Sequence, residues 1–180
     1  MPLPRAFVGY SSSDFDSYLL MKGWKESEGI DFDFQDCQLH LEARRIDEAH
    51  IKEVCRERLR GAGAYIMLIG ADTFWKDRYV QWEAQVARTK GCKMIAVNLN
   101  HKRCIHPALT PEVMRNSGAM FVPFSPLAVR TAMECDVRRD QMNYELTEEW
   151  YEANGFELVQ DTARRIQPQG GEGVEDVLSV

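Results

Sequence analysis

The sequence lacks the features of a disulfide-linked, metal-binding or membrane-spanning protein. Its five cysteines are an odd number and include no Cys-x-x-Cys pair, which argues against a disulfide framework and a zinc site. His101 and His106 flank Cys104, so a metal or thiol site stays open there, beside the plainer interpretation of a polar loop. Residues 1–20 show no signal-peptide pattern, and no apolar run has transmembrane length. We therefore expect a reduced, cytoplasmic protein without a metal site and without a membrane partner.

An excess of positive charge is also missing. The 22 Lys and Arg residues against 28 Asp and Glu give a net charge of -6, which argues against nucleic acid as a main partner. No Gly-x-Ser-x-Gly motif occurs, so a serine nucleophile of that type has no support. What is present is ordinary globular composition, 44% hydrophobic and 28% charged over 180 residues, which is enough for one domain with a sizeable core.

Apolar strand-like segments alternate with helix-like segments along the chain. Strands are predicted at residues 5–10, 30–35, 65–70, 93–99 and 119–123, and helices at 14–26, 46–59, 77–89, from 125 onward and at 143–153. This alternation predicts an α/β, flavodoxin-like three-layer fold with a central five-stranded parallel sheet of order 2-1-3-4-5. We expect one domain over residues 1–166, with a core at about 4–124, a helical extension at about 125–155 and a disordered tail at 167–180.

The predicted strand order places Glu83 at the crevice where such folds bind ligands. The crevice of such a sheet lies between strands one and three, so the loops at residues 10–14 and 71–79 should meet there with Glu83. A lone acid in an aromatic cleft suits a developing positive charge, such as the oxocarbenium ion formed when a glycosidic bond breaks. The aromatic neighbours in sequence are Phe74, Trp75, Tyr79 and Trp82. The alternative is a solvated acid in the first turn of a helix, favoured by the helix dipole.

Two other uses of the same topology fit less well. A phosphorylated receiver domain could use Asp72 as its acceptor, but it needs an acid pair after strand one and a Lys after strand five, and both are missing. A flavin protein needs a phosphate cradle after strand one. The serines at residues 11–13 would serve weakly, and a flavin site leaves the pairing of aromatics with an acid unexplained.

Three motifs in order resemble the TIR domain family. Residues 7–14, FVGYSSSD, resemble its first strand and polar turn, and Tyr79-x-x-x-Glu83 resembles its Trp-x-x-x-Glu motif with the catalytic glutamate. Residues 68–70, LIG, followed by Phe74-Trp75, lie between them as in the family. The chain most resembles the stand-alone TIR proteins (ThsB type) of bacterial Thoeris anti-phage systems, over residues 4 to 124.

The resemblance implies an NAD+ glycohydrolase or ADP-ribosyl cyclase that uses NAD+ as a substrate and needs no cofactor. Glu83 is implied as the catalytic residue that stabilises the oxocarbenium as nicotinamide leaves. The implied substrate contacts are Phe7, Tyr10, Ser11, Ser12 and Tyr79. The product would be a cyclic ADP-ribose-type messenger that activates a separate effector protein, and the enzyme would form a homo-oligomer on activation.

The chain departs from the family pattern at three places. Gly9 replaces the usual Ser and removes a hydroxyl near the substrate, and Tyr79 replaces the usual Trp. The loop at residues 36–45 lacks the familiar Pro or Gly signal of the segment that gates the site and mediates assembly. The alternatives are a plain NAD+ hydrolase, a non-catalytic TIR scaffold and a sensor that receives a nucleotide messenger.

Overall fold

A computed structural model describes residues 3–36, 48–76, 78–136 and 142–157. The chain divides into two compact units, Met1–Leu146 and Thr147–Val180. The predicted single domain over residues 1–166 stays a prediction. The predicted tail at 167–180 lies outside the described residues, as does the predicted loop at 36–45 apart from its first residue.

The first unit is built on a parallel sheet of six strands with the order β2-β1-β3-β4-β5-β6. The strands are β1 (Ala6–Gly9), β2 (Phe34–Asp36), β3 (Ala64–Ile69), β4 (Lys93–Asn98), β5 (Met120–Pro123) and β6 (Tyr144–Glu145). The predicted α/β fold and the order 2-1-3-4-5 are confirmed, and one further strand extends the sheet. β1, β3 and β5 are buried along their whole length, as expected for parallel strands covered on both faces.

One strand prediction and one helix prediction need correction. β2 is shorter than the predicted strand at 30–35, because Phe32 N–H donates to the Ile30 carbonyl and forms a tight turn before the sheet. The helix predicted at 143–153 is wrong at its start, where Tyr144 pairs in parallel with Met120 in β5. Thr147 instead caps the helix that follows, since its side chain accepts a hydrogen bond from Trp150 N–H.

The helices follow the predicted segments to within about two residues at most ends. They are α1 (Phe15–Ser27), α2 (Glu48–Arg58), α3 (Thr73–Lys76), α4 (Arg78–Lys90), α5 (Pro126–Glu134) and, in the second unit, α6 (Glu148–Ala153). α3 replaces part of the loop predicted at 71–79. α5 begins as predicted, with Ser125 accepting from Ala128 N–H and proline in the first turn. Gly91 ends α4 with a φ of 79°, the left-handed conformation that glycine adopts without steric cost.

Gly23 in α1 is a position where a methyl group should stabilise the protein. It lies in the helix interior on an exposed face, and a Cβ added there would meet nothing within 4 Å. We expect Gly23→Ala to raise the free energy of unfolding by about 0.5–1 kcal/mol, because alanine loses less backbone entropy in a helix. The matched control is Gly91→Ala, which should lower it by about 1 kcal/mol because of the positive φ. Chemical denaturation measures both changes in the free energy of unfolding. Changes of the same sign would contradict the placement of Gly23 inside an exposed helix face and of Gly91 at a helix end.

Candidate active site

Glu83 lies in the second turn of α4, next to the carboxyl end of β1. The residue is 1% exposed. A Cβ built on Gly9, the last residue of β1, would lie 3.1 Å from Glu83 Oε2. The end of β1 and Glu83 therefore meet, as the strand order predicted. The alternative of a solvated acid in a first helical turn is wrong, because this carboxylate is removed from water.

The hydroxyl of Tyr65 occupies the space above Gly9. A Cβ on Gly9 would overlap Tyr65 Oη and come within 2.9 Å of Cζ, so residue 9 must be glycine while this ring is in place. The hydroxyl donates to the Val80 carbonyl at 3.2 Å. The ring stacks on Phe7 with 6.2 Å between centroids. Phe7, a predicted substrate contact, is 1% exposed and supports Tyr65 from within the core.

The polar turn after β1 is hydrogen-bonded to the loop after β3. Ser13 Oγ donates to Asp72 Oδ1 at 2.6 Å, and the hydroxyls of Ser11 and Ser13 lie 3.0 Å apart. Ser11 is buried, whereas Ser12 is exposed in a 3-10 helix at Ser12–Asp14. Of the two serines predicted to bind substrate, Ser11 is therefore part of the connection between the loops, and Ser12 faces solvent.

A second set of hydrogen bonds joins the same two loops. Gly70 N–H donates to Thr73 Oγ1 at 2.9 Å, and the Thr73 hydroxyl lies 3.2 Å from its acceptor Asp14 Oδ2. Thr73 is fully buried. A Cβ on Gly70 would lie 2.6 Å from Asp14 Cγ and overlap the carboxylate oxygens. The Asp14 carboxylate therefore fits closely against a backbone that has no side chain at residue 70.

The predicted aromatic contacts are held by neighbouring rings. Tyr10 is 3% exposed and stacks on Tyr18 of α1 at 4.5 Å between centroids. Tyr79 is half-buried and meets Trp82 edge-on at 5.4 Å. Trp75 differs from the others because it is 77% exposed, so the expected aromatic wall is partly open to solvent.

Neither a metal centre nor a membrane span is found in the part of the chain that the structure describes. Within residues 3–36, 48–76, 78–136 and 142–157, no three His, Cys, Asp or Glu side chains are grouped so that they could hold an ion. In the same ranges, every helix is too short or too polar to cross a bilayer.

The sequence matches the family model of the TIR-like domain of the Thoeris protein ThsB over residues 7–103. This match covers more than half of the chain. The chain belongs to the ThsB TIR-like family. No curated protein matches the sequence.

Membership in the ThsB family makes this a TIR-domain protein of Thoeris anti-phage defence. Some members of the TIR-like domain family cleave NAD+. The matched range begins at Phe7 in β1 and continues past Glu83 and β4, so it contains all six residues that the sequence analysis assigned to the site.

Four residues organise this region of the ThsB-family protein although none of them was predicted as a catalytic or substrate-binding residue. Tyr65, Asp14 and Thr73 surround the backbone at Gly9 and Gly70, and Asp72 holds Ser13. The sequence holds a signal for three of them. Tyr65 brings a polar tip into an apolar run, and Asp14 and Thr73 lie in the segments that follow the two strands flanking the crevice.

Proposed function

We propose that this ThsB-family protein cleaves NAD+ at the nicotinamide–ribose bond and forms a cyclic ADP-ribose-type messenger. The observation that carries the proposal is the buried carboxylate of Glu83 beside the end of β1. Burying an ionisable carboxylate costs free energy, so a buried acid next to the ligand crevice of an α/β sheet is a candidate for function. A scaffold that only binds other TIR domains does not require such an acid.

In the proposed reaction the bond between the ribose and the nicotinamide nitrogen breaks. Its electron pair leaves with neutral nicotinamide, and positive charge develops on the ribose as an oxocarbenium ion. The Glu83 carboxylate stabilises this charge, an interaction that is strong because the site is poor in water. Ser11, Ser12, Tyr10, Tyr79 and Phe7 are the proposed residues around the substrate.

The fate of the oxocarbenium decides the product. Capture by water releases a proton and gives linear ADP-ribose, as in a plain NAD+ hydrolase. Capture by another atom of the same molecule also releases a proton, and it gives a cyclic product that is lighter by one water. We propose the cyclic route, with the product acting on a separate effector protein.

Access to Glu83 must change before NAD+ can react. At 1% exposure the carboxylate is covered, so a nicotinamide ribose reaches it only when the covering groups move. We propose that this movement accompanies self-assembly into a homo-oligomer on activation, so a purified protein at rest will cleave NAD+ slowly.

The proposal is tested with NAD+ labelled in the nicotinamide ring. Extracts of phage-infected cells that contain the protein, or Glu83→Gln at equal amount, are incubated with the label in water enriched in ¹⁸O. Release of labelled nicotinamide by the wild type alone, with an ¹⁸O-free product one water lighter than ADP-ribose, is the expected result. ADP-ribose carrying ¹⁸O from the start of the time course would indicate a hydrolase. No release from extracts with soluble protein would reject an enzyme and favour the scaffold.

A further inference from the structure

A tyrosine hydroxyl fills the space that residue 9 leaves empty beside Glu83. A Cβ on Gly9 would overlap Tyr65 Oη and would lie 3.1 Å from Glu83 Oε2, so the hydroxyl and carboxylate oxygens are neighbours around one point. Tyr65 is fully buried, and its ring stacks on Phe7. In a close-packed core the ring has little room to carry the hydroxyl elsewhere.

We propose that Tyr65 is a positioning residue for Glu83 and that its hydroxyl orients the carboxylate for the reaction. This inference rests on the NAD+ cleavage proposed above. The hydroxyl hydrogen can rotate between acceptors. It donates to the Val80 carbonyl at 3.2 Å, and an ionised carboxylate is a stronger acceptor than a neutral carbonyl. Val80 lies one turn before Glu83 in α4, so in the proposed arrangement the hydroxyl can turn its one hydrogen from the Val80 carbonyl to the carboxylate.

Gly9 is part of the same arrangement. Its missing side chain is what leaves the space for Tyr65 Oη. The resemblance to the TIR family implied that glycine at this position removes a hydroxyl from the site. The arrangement instead supplies a hydroxyl from β3 to the same point. Paired substitutions at residues 9 and 65 can therefore move the hydroxyl from β3 to β1 and test its role.

Tyr65→Phe removes the hydroxyl and keeps the ring. Because Tyr65 acts through Glu83, we expect kcat for nicotinamide release to fall about 10- to 100-fold, with KM within about twofold of the wild-type value. A loss of packing alone would lower the thermal midpoint without this separation of kcat from KM.

Gly9→Ser/Tyr65→Phe returns a hydroxyl to the site from β1. With Oη removed, a Cβ at residue 9 lies 2.9 Å from the ring carbon Cζ, so the ring has to shift slightly. The matched control is Gly9→Ala/Tyr65→Phe, which adds the same Cβ without the hydroxyl. We expect the serine double variant to recover most of the lost kcat and the alanine double variant to stay as low as Tyr65→Phe.

A readout that needs no activity is the carboxyl ¹³C resonance of Glu83 in glutamate-labelled protein, assigned by its disappearance in Glu83→Gln. It should move in Tyr65→Phe and return toward the wild-type position in the serine double variant only. An unmoved resonance in Tyr65→Phe, or equal recovery in both double variants, would overturn the positioning role. A resonance that follows the hydroxyl in a protein that releases no nicotinamide would support the placement and reject the proposed activity.

Discussion

Glu83→Gln should lower nicotinamide release from NAD+ by at least about 100-fold, which corresponds to about 2.7 kcal/mol of lost transition-state stabilisation. The amide keeps the size of the side chain and loses the negative charge that faces the oxocarbenium. Because the wild-type carboxylate is buried, the amide should also leave the free energy of unfolding unchanged or raise it. The rate is measured as release of labelled nicotinamide, and the stability by denaturation with urea.

Glu57→Gln is the matched control for this substitution. Glu57 lies in α2 and is exposed, so the same chemical change there should alter neither the rate nor the stability appreciably. A Glu83→Gln protein that is folded and retains wild-type cleavage would remove Glu83 from the reaction. A Glu83→Gln protein that loses stability would instead indicate that the buried acid is structural.

Gly70→Ala should destabilise the protein by about 1–3 kcal/mol, the usual cost of forcing an atom into a filled space. The new Cβ would lie 2.6 Å from Asp14 Cγ, so the carboxylate must leave its place. It then loses the hydrogen bond from Thr73, which links the loops after β1 and β3. The measurement is the free energy of unfolding of the single variant relative to wild type.

A double-mutant cycle with Asp14→Ala identifies the cause of this effect. If the carboxylate is the obstacle, Gly70→Ala should cost at least about 1 kcal/mol less in the Asp14→Ala background, because the space is then open. An equal cost in both backgrounds would place the strain elsewhere. Gly23→Ala, with nothing near its added Cβ, serves as the reference for a glycine that tolerates a methyl group.

The sheet was predictable from the sequence because its central strands are unusually clear. β3 is a run of six apolar residues, and β4 has four apolar residues between Lys93 and Asn98. Such runs are typical of parallel strands that are buried on both faces. β6 was not predictable, because a two-residue strand has no periodicity and its pairing with β5 depends on tertiary contacts. α3 was missed for the same reason, since its four residues make little more than one turn.

The site was predictable only in part. Strand order brings Glu83 to the end of β1, because the carboxyl ends of neighbouring parallel strands share one edge of the sheet. The position of the Tyr65 hydroxyl depends on register: Gly9 pairs with Met67, two residues beyond Tyr65 in β3, and the long ring spans that offset. The contact between Tyr65 and Gly9 joins two separate strands, so no pattern within either strand predicts it. The contact between the Asp14 carboxylate and Gly70 also joins separate segments and could not be predicted for the same reason.

The measurement that tests the proposed function most directly is mass spectrometry of small molecules from infected cells that express the wild type or Glu83→Gln. We expect NAD+ to fall in wild-type cells and a new species one water lighter than ADP-ribose to accumulate. We expect neither change with Glu83→Gln. An unchanged NAD+ pool and no new species, in infected cells that contain soluble wild-type protein, would contradict NAD+ cleavage by this protein.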